Sequence, residues 1–490
     1  MNDRRSTAPR IAVIGGGISG LAAAHRLVEL DPACEVVLLE AGPRLGGVLC
    51  TVHEQGYQVE QSADNFITTI PYGLDLCRRL GLSDQLIQTN SAYRQTYVVR
   101  HNRLYKLPDG FLMMAPTQLW PLAVTPLLSP LGKARAGLEY FIPPRRGDDD
   151  ESMASFACRR LGREVFDRLI EPLVGAVYAA DMEKLSVLAT LSRFREMERE
   201  SGSLIKAMRQ QMKLRPKGKS ESGARYSMFV TLRDGLTSIV DAIARRLPEG
   251  GVRLNSPVER LRRGADGWRV SSAGSQGQAD ERFDAVVVAT PSGTAARLLE
   301  PIDAELGREV GTIVHSGTAI VSLGYDRRQV GHSLNGMGAV VPAIEKSPIL
   351  ACSFSSQKYT HRAPEGKVLL RVFVGGAHKP ELAEMDDRQL RPLVTQHLAA
   401  LLKIQGEPDY CNIAHWPGTM PQYHVGHKQL VARIEARVAQ IPNLELAGNA
   451  FHGVGLPDCI HGGEQAAERA LAAISGHLLT DDGDTAEPAA

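Results

Sequence analysis

"IAVIGGGISGLAAAHRL", residues 11–27, leaves little choice of local fold. An apolar run from Ile11 to Ile14 meets Gly15, Gly16 and Gly17, and an Ala/Leu-rich stretch follows Gly20. That order reads as strand, tight turn, helix. Gly15 permits the sharp turn, Gly17 lets backbone N–H groups approach a pyrophosphate, and Gly20 lets helix and strand pack closely. The helix start then presents unpaired amides and a positive dipole end to the phosphates. "EVVLLE" supplies a second buried strand, and Glu40 ends it where an acid binds a ribose hydroxyl. A glycine-rich turn alone is common; in this setting it specifies a dinucleotide site.

At 490 residues the chain exceeds one ordinary core, so two or three domains are expected. Lys+Arg of 56 against Asp+Glu of 55 gives +1, which argues against nucleic acid or a strongly acidic partner. "MNDRRSTAPR" has no apolar signal region, pointing to the cytoplasm. Seven scattered cysteines, with no CxxC, read as reduced thiols without a disulfide framework or metal site.

"MASFACRRLGREVFDRLIEPLVGAVY" carries apolar residues at three- and four-residue spacing and reads as helical. "FLMMAPTQLWPLAVTPLLSPLG" is long enough to span a bilayer, but Pro116, Pro121, Pro126 and Pro130 each remove a backbone donor that a spanning helix needs. It is read as pocket wall, as a surface resting on a membrane, or as ordinary core. "KLRPKGKSESGAR", 213–225, reads as a mobile loop. "GVRLNSPVERLRR", "GWRVSSAG" and "FDAVVVATP" read as strands, and within 312–375 "GTAIVSLGY" and "KVLLRVFVGG" read as strands of a second sheet.

"EAGPRLGG", with Arg44, Gly46 and Gly47, resembles the second fingerprint of the FAD-dependent amine oxidase-like superfamily. "TMPQYHVGHKQ" and "LELAGNAFHGVGLPDCIHGGEQAA" narrow the resemblance to the protoporphyrinogen and coproporphyrinogen III oxidases of haem biosynthesis. With "VIGGGISGLAAA" and "GAVYAADMEKLS", it runs over nearly the whole chain in order. It implies an α/β protein: a Rossmann-like FAD-binding domain of the two-dinucleotide-binding-domain type, a mixed-sheet substrate domain and a helical middle domain. The FAD-binding domain is expected from 1–75, 226–300 and 436–478, the substrate domain from 76–104 and 301–435, and the helical domain, with a membrane-facing surface as one of its readings, from 105–215, with 479–490 a disordered tail.

The resemblance also implies the site. Cofactor contacts fall on Gly15, Gly16, Gly17, Ile18, Ser19, Gly20, Glu40, Ala41, Arg44, Gly46, Gly47, Val48, Ser62, Ala63, Asp64, Asn65, Val258, Trp416, Val454, Gly455 and Leu456. Val258 lies against the adenine, and Val454 to Leu456 beside the flavin, with a helix starting near Gly462 aimed at the ring. Asp458 is a structural cap or a partner of the ribityl chain. Arg44 lies along the diphosphate; its other reading is an exposed helix-cap cation. FAD is expected to be noncovalent, since no tethering cysteine stands beside Asn449 to Phe451. No catalytic side chain and no metal are implied, because the flavin carries the hydride. A porphyrinogen loses six electrons in three rounds, each followed by reoxidation with oxygen and release of hydrogen peroxide.

Ala176 and Arg94 are the substrate-binding candidates. Arg94 falls where mitochondrial-type enzymes carry a propionate-binding arginine; a surface arginine at a strand start is the equal alternative. Where many members read GxYAGD this chain has Ala176 and Ala180, two added methyls that either narrow the pocket or shift a loop. Coproporphyrinogen III and protoporphyrinogen IX both stay open, as do monomer and homodimer and a peripheral contact with the inner membrane face. The rivals are an amine oxidase or carotenoid desaturase on the same fold, and an FAD-binding protein without turnover.

Overall fold

The computed structural model describes residues 8–214, 228–274 and 277–481. Two large sheets organise them. In chain order their strands are β1 (Arg10–Ile14), β2 (Glu35–Leu39), β3 (Thr96–Arg100), β4 (Arg103–Lys106), β5 (Val252–Arg253) and β6 (Ala285–Val288). The remaining six are β7 (His315–Asp326), β8 (Gly338–Val340), β9 (Ile349–Phe354), β10 (Lys367–Gly375), β11 (Tyr410–Pro421) and β12 (Leu444–Leu446). Three helices matter for the site: α1 (Ile18–Leu30), α2 (Glu171–Tyr178) and α3 (Leu456–Asp481).

The first sheet runs β5-β2-β1-β6-β12, with every pair parallel. Parallel sheets are stable when both faces are covered, which is why "IAVI" and "AVVV" are unbroken apolar runs rather than alternating ones. One face packs on α1 and α3, the other on a cluster containing Trp268, Phe283, Leu298 and Ile434. β1 has β2 on one side and β6 on the other, so its glycine turn opens at the switch point where such sheets bind ligands.

The second sheet is mixed, ordered β11-β7-β10-β9-β8-β3-β4, with only the β8–β3 pair parallel. β7 and β10 contain the two runs read as strands from sequence, and they pair from Thr318↔Gly375 to Asp326↔Lys367. Between the sheets in sequence lies a helical region with its own core, including Met153, Phe156, Leu161, Leu169 and Val174.

Three expectations are corrected. α3 starts at Leu456 rather than near Gly462. Pro457 sits in its first turn, where the missing proline N–H costs nothing, and Gly462 and Gly463 are helical. The stretch 105–118 is largely extended, and helices begin at Leu119. The tail was expected to be unstructured from 479, but α3 continues to Asp481; residues 482–490 lie outside the described residues. The loop at 213–225 begins with the last two residues of helix Leu204–Leu214, and the rest of it lies outside the described residues. Among the described residues no helix is long and apolar enough to cross a membrane.

Candidate functional site

The turn after β1 forms a cradle. Gly15 has φ +106°, and a Cβ there would stand 2.7 Å from the Ala289 carbonyl oxygen; one on Gly20 would stand 1.9 Å from the Gly15 oxygen. Gly17 is different, because a Cβ on it would meet nothing within 4 Å. It caps α1 with no side-chain hydrogen bond, leaving the first-turn amides of Ile18 and Ser19 without a side-chain acceptor. Gly46 lies alongside through a parallel bridge to Gly17, and its N–H donates to the Gly16 carbonyl at 2.8 Å. An open, amide-lined groove at a helix start suits a diphosphate.

Glu40 closes one end. Its two oxygens accept from the N–H groups of Gly16 (2.6 Å) and Gly42 (2.7 Å), so the carboxylate is aimed by both glycine loops. Residues 253–256 run along the same edge: Glu40 N–H donates to Arg253 O at 2.9 Å and Ser256 N–H to Glu40 O at 2.8 Å, which brings half-buried Val258 beside it. Arg44 is exposed and donates to the carbonyls of Leu45, Leu49 and Gly47 at 3.1, 3.0 and 2.7 Å. It staples the loop holding Gly46, Gly47 and half-buried Val48; it caps no helix. Ala41 is exposed. Thr290 Oγ1, just past β6, is buried without a partner among the described residues.

The segment Gln61–Asn65 is fastened to the second sheet. Trp416 Nε1 donates to Gln61 O at 2.5 Å, Arg371 to Ser62 O at 2.5 Å, and Asn65 Nδ2 to Asp64 Oδ1 at 2.7 Å. Burial alone would raise the Asp64 carboxyl, but Lys358 and Arg371 outweigh it and hold the group below the usual carboxylate range. Ala63 packs on the core under the first sheet.

Ala176, Tyr178, Phe373 and Val454 are partly buried and pack against the core of the helical region. The left-handed backbone after α2 falls on Ala179, at φ +47°, so the methyls of Ala176 and Ala180 meet no unfavourable φ. Burial raises the Tyr178 phenol to about 12 and also raises Asp458, whose side chain folds back over Gly453 and Gly455. The "PQY" string stitches this corner together: Gln422 Nε2 donates to Ser316 Oγ at 2.9 Å and Tyr178 O at 3.3 Å, and Tyr423 OH to Asn449 O at 2.5 Å. α3 packs on α1 so closely that a Cβ on Gly463 would lie 2.1 Å from Ser19 O. The groove and the acid together suit a dinucleotide.

Arg94 is exposed at the C-cap of the short turn Ser91–Tyr93, and Asn90 N–H ties that turn to the Lys358 carbonyl at 2.9 Å. Sequence reasoning missed Lys358, Arg371 and Phe373. The signal for Arg371 was available, since an arginine in the apolar run "KVLLRVFV" needs a buried partner. Among the described residues no group of three or more His, Cys, Asp or Glu side chains could hold a metal ion.

Residues 18–471 match the model of the family described as flavin containing amine oxidoreductase. Coproporphyrinogen III oxidase of Bacillus subtilis (strain 168) is 34% identical, with 94% of this chain and 97% of that protein covered. Chloroplastic protoporphyrinogen oxidase of Nicotiana tabacum is 29% identical, with 94% and 85% covered. A solved structure from Exiguobacterium sp. 255-15, provisionally a protoporphyrinogen oxidase, superposes with a TM-score of 0.84 at 31% identity and covers 94% of this chain and 98% of its own.

Proposed function

We propose, because the chain belongs to the flavin containing amine oxidoreductase family and within it to the protoporphyrinogen and coproporphyrinogen III oxidases, that it oxidises coproporphyrinogen III to coproporphyrin III with oxygen. One porphyrinogen and three O2 give one porphyrin and three H2O2, which balances six hydrogens. The observation that carries the reading is the open Gly17 position at the start of α1 beside the Glu40 carboxylate that both glycine loops hold. Coproporphyrinogen is preferred over protoporphyrinogen because bacterial coproporphyrinogen III oxidases share 33–35% identity with this chain and the plant protoporphyrinogen oxidases 28–29%.

The flavin is FAD, held without a covalent bond: Gly15 to Gly20 and Gly46 to Gly47 cradle the diphosphate, Glu40 takes the ribose, Val258 the adenine, and Ser62 to Asn65, Trp416 and Val454 to Leu456 the ring. When bound it accepts electrons from the substrate and passes them to oxygen. The chain's own part is to bind and orient. Ala176, Tyr178 and Phe373 form an apolar wall that excludes water from a non-planar tetrapyrrole, and a cation such as Arg94 at the rim takes a propionate. The Tyr178 phenol, raised by burial to about 12, donates to the Thr190 carbonyl at 3.4 Å, which fixes its ring in that wall.

Mixing the yellow protein with coproporphyrinogen III without oxygen should bleach the flavin, and admitting oxygen should restore it with three peroxides per porphyrin. A flavin that stays yellow would refute turnover. Acid precipitation should release FAD into the supernatant; flavin left in the pellet would refute noncovalent binding.

The reading includes a peripheral contact with a membrane. Of fifteen exposed large hydrophobic side chains among the described residues, seven fall within 119–141, with Trp120, Leu131 and Phe141 76, 83 and 78% exposed. Lys206 lies over the Tyr140 ring at 4.6 Å and adds a cation to that surface. Sedimentation with anionic phosphatidylglycerol vesicles should be lost in a Trp120→Ser, Phe141→Ser protein; unchanged sedimentation would refute the contact.

A further inference from the structure

One polar row crosses the second sheet. Strand register sets Asn412 of β11 beside Ser322 of β7, Ser322 beside Arg371 of β10, and Arg371 beside Ser353 of β9. Directly paired residues share a face. Arg371 is 1% exposed in an otherwise apolar strand, where an unpaired guanidinium would cost several kcal/mol. Its partners come from far away in sequence. Nη2 donates to Ser62 O at 2.5 Å and Nη1 lies 3.3 Å from Asp64 Oδ2. Lys358 Nζ reaches both Asp64 oxygens at 3.2 Å. Gln61 Nε2 donates to Asn412 Oδ1 at 3.0 Å, so the row fastens the whole Gln61–Asn65 segment.

The charges in this cluster do not cancel. Two cations share one carboxylate, and the adjoining Arg362–Glu60 pair, 3.4 Å apart and buried, takes up no excess when both are ionised. Arg371 Nε, Ser322 Oγ and Ser353 Oγ are buried and have no partner among the described residues. A partly buried cluster with one surplus positive charge and unfilled donors is stabilised by negative charge arising beside it.

We propose that Lys358 and Arg371, acting through Asp64, are positioning residues for the flavin. They hold Gln61–Asn65 as a wall of its site and set behind that wall one uncompensated positive charge, which favours the negative charge a flavin gains on two-electron reduction. The inference rests on the flavin reading of the site and on Ser62 to Asn65 bordering the ring.

Charge predicts opposite signs for two conservative changes, which a purely structural role does not. Lys358→Met removes a cation and should shift the redox equilibrium of the bound flavin about tenfold toward the oxidised form, or about 30 mV lower for a two-electron couple. Asp64→Asn keeps the side-chain shape, removes an anion and should shift the midpoint upward by a similar amount. Lys358→Arg should leave it near wild type. The measurement is reductive titration of the flavin-loaded proteins against a reference dye, with FAD content read after acid release. Wild-type protein holding no flavin would sink the cofactor reading instead. Loaded variants whose potentials stay put or move in the same direction would overturn the proposal, as would an Asp64→Asn protein that folds but does not retain flavin.

Discussion

Gly462 and Gly463 are neighbours in α3 with opposite surroundings, and replacing each with alanine separates helix propensity from packing. A Cβ at Gly462 meets nothing within 4 Å, whereas one at Gly463 would stand 2.1 Å from Ser19 O and 3.0 Å from Ser19 C. Both changes gain the roughly 0.8–1 kcal/mol by which alanine exceeds glycine inside a helix. Gly463→Ala must also open more than 1 Å between α3 and α1 to reach ordinary contact at about 3.4 Å, and overpacking of this kind costs about 1–3 kcal/mol. The opposing atoms are backbone in α1, so no side chain can turn away. Gly462→Ala should therefore stabilise by close to 1 kcal/mol, and Gly463→Ala should lie about 1–3 kcal/mol below it. Because α1 begins at the Gly17 groove, Gly463→Ala should also release flavin more readily. Urea unfolding followed by circular dichroism measures the first effect, and FAD retained on gel filtration the second. Equal stability of the two variants would refute the close approach of α1 and α3.

Gly17→Val should abolish flavin binding while the apoprotein still folds, because its side chain enters the one open position of the glycine turn; a fully flavinated variant would overturn the placement of the diphosphate. Burial raises the Glu171 carboxyl from 4.5 to about 7, though its oxygen accepts from the Ala343 N–H. Between those values the folded protein keeps a proton that the unfolded chain has lost, so stability falls as pH rises through that window. Glu171→Gln should remove the fall, gaining about 3 kcal/mol at pH 8 and little below pH 4.5; parallel stability–pH curves for the two proteins would contradict this. Arg94→Ala should raise KM about tenfold for the free acid substrate and much less for its propionate methyl ester, while equal effects on both would return Arg94 to a surface role.

Local chemistry made the nucleotide turn legible. The Gly15 to Gly20 spacing, the two apolar strands and Glu40 each leave a mark within a few residues, and the long strands β7 and β10 stand out as β-branched runs. The start of α3 was misread because Gly453, Gly455, Gly462 and Gly463 look like one loop, and Pro457 was the better marker. The buried charges were out of reach for another reason. Lys358 meets Asp64 across 294 positions and Arg371 meets Ser62 across 309, and no spacing rule joins residues that only the fold brings together. The membrane-length apolar run at 111–132 became short strands and helices because its prolines removed the donors a continuous helix needs.

The parallel order β5-β2-β1-β6-β12 has a consequence for how the chain is made. β1 and β2 are complete by Leu39, yet the other edge of β1 is covered only by Ala285–Val288, and the sheet closes only at Leu446. At about 5–20 residues per second of synthesis, that edge waits on the order of 10–50 s for its partner. Throughout that interval "IAVI" offers an unpaired apolar strand to any other strand nearby. Nascent chains should therefore depend on chaperones during synthesis, and truncations that stop before β6 should aggregate rather than fold as an independent nucleotide-binding unit.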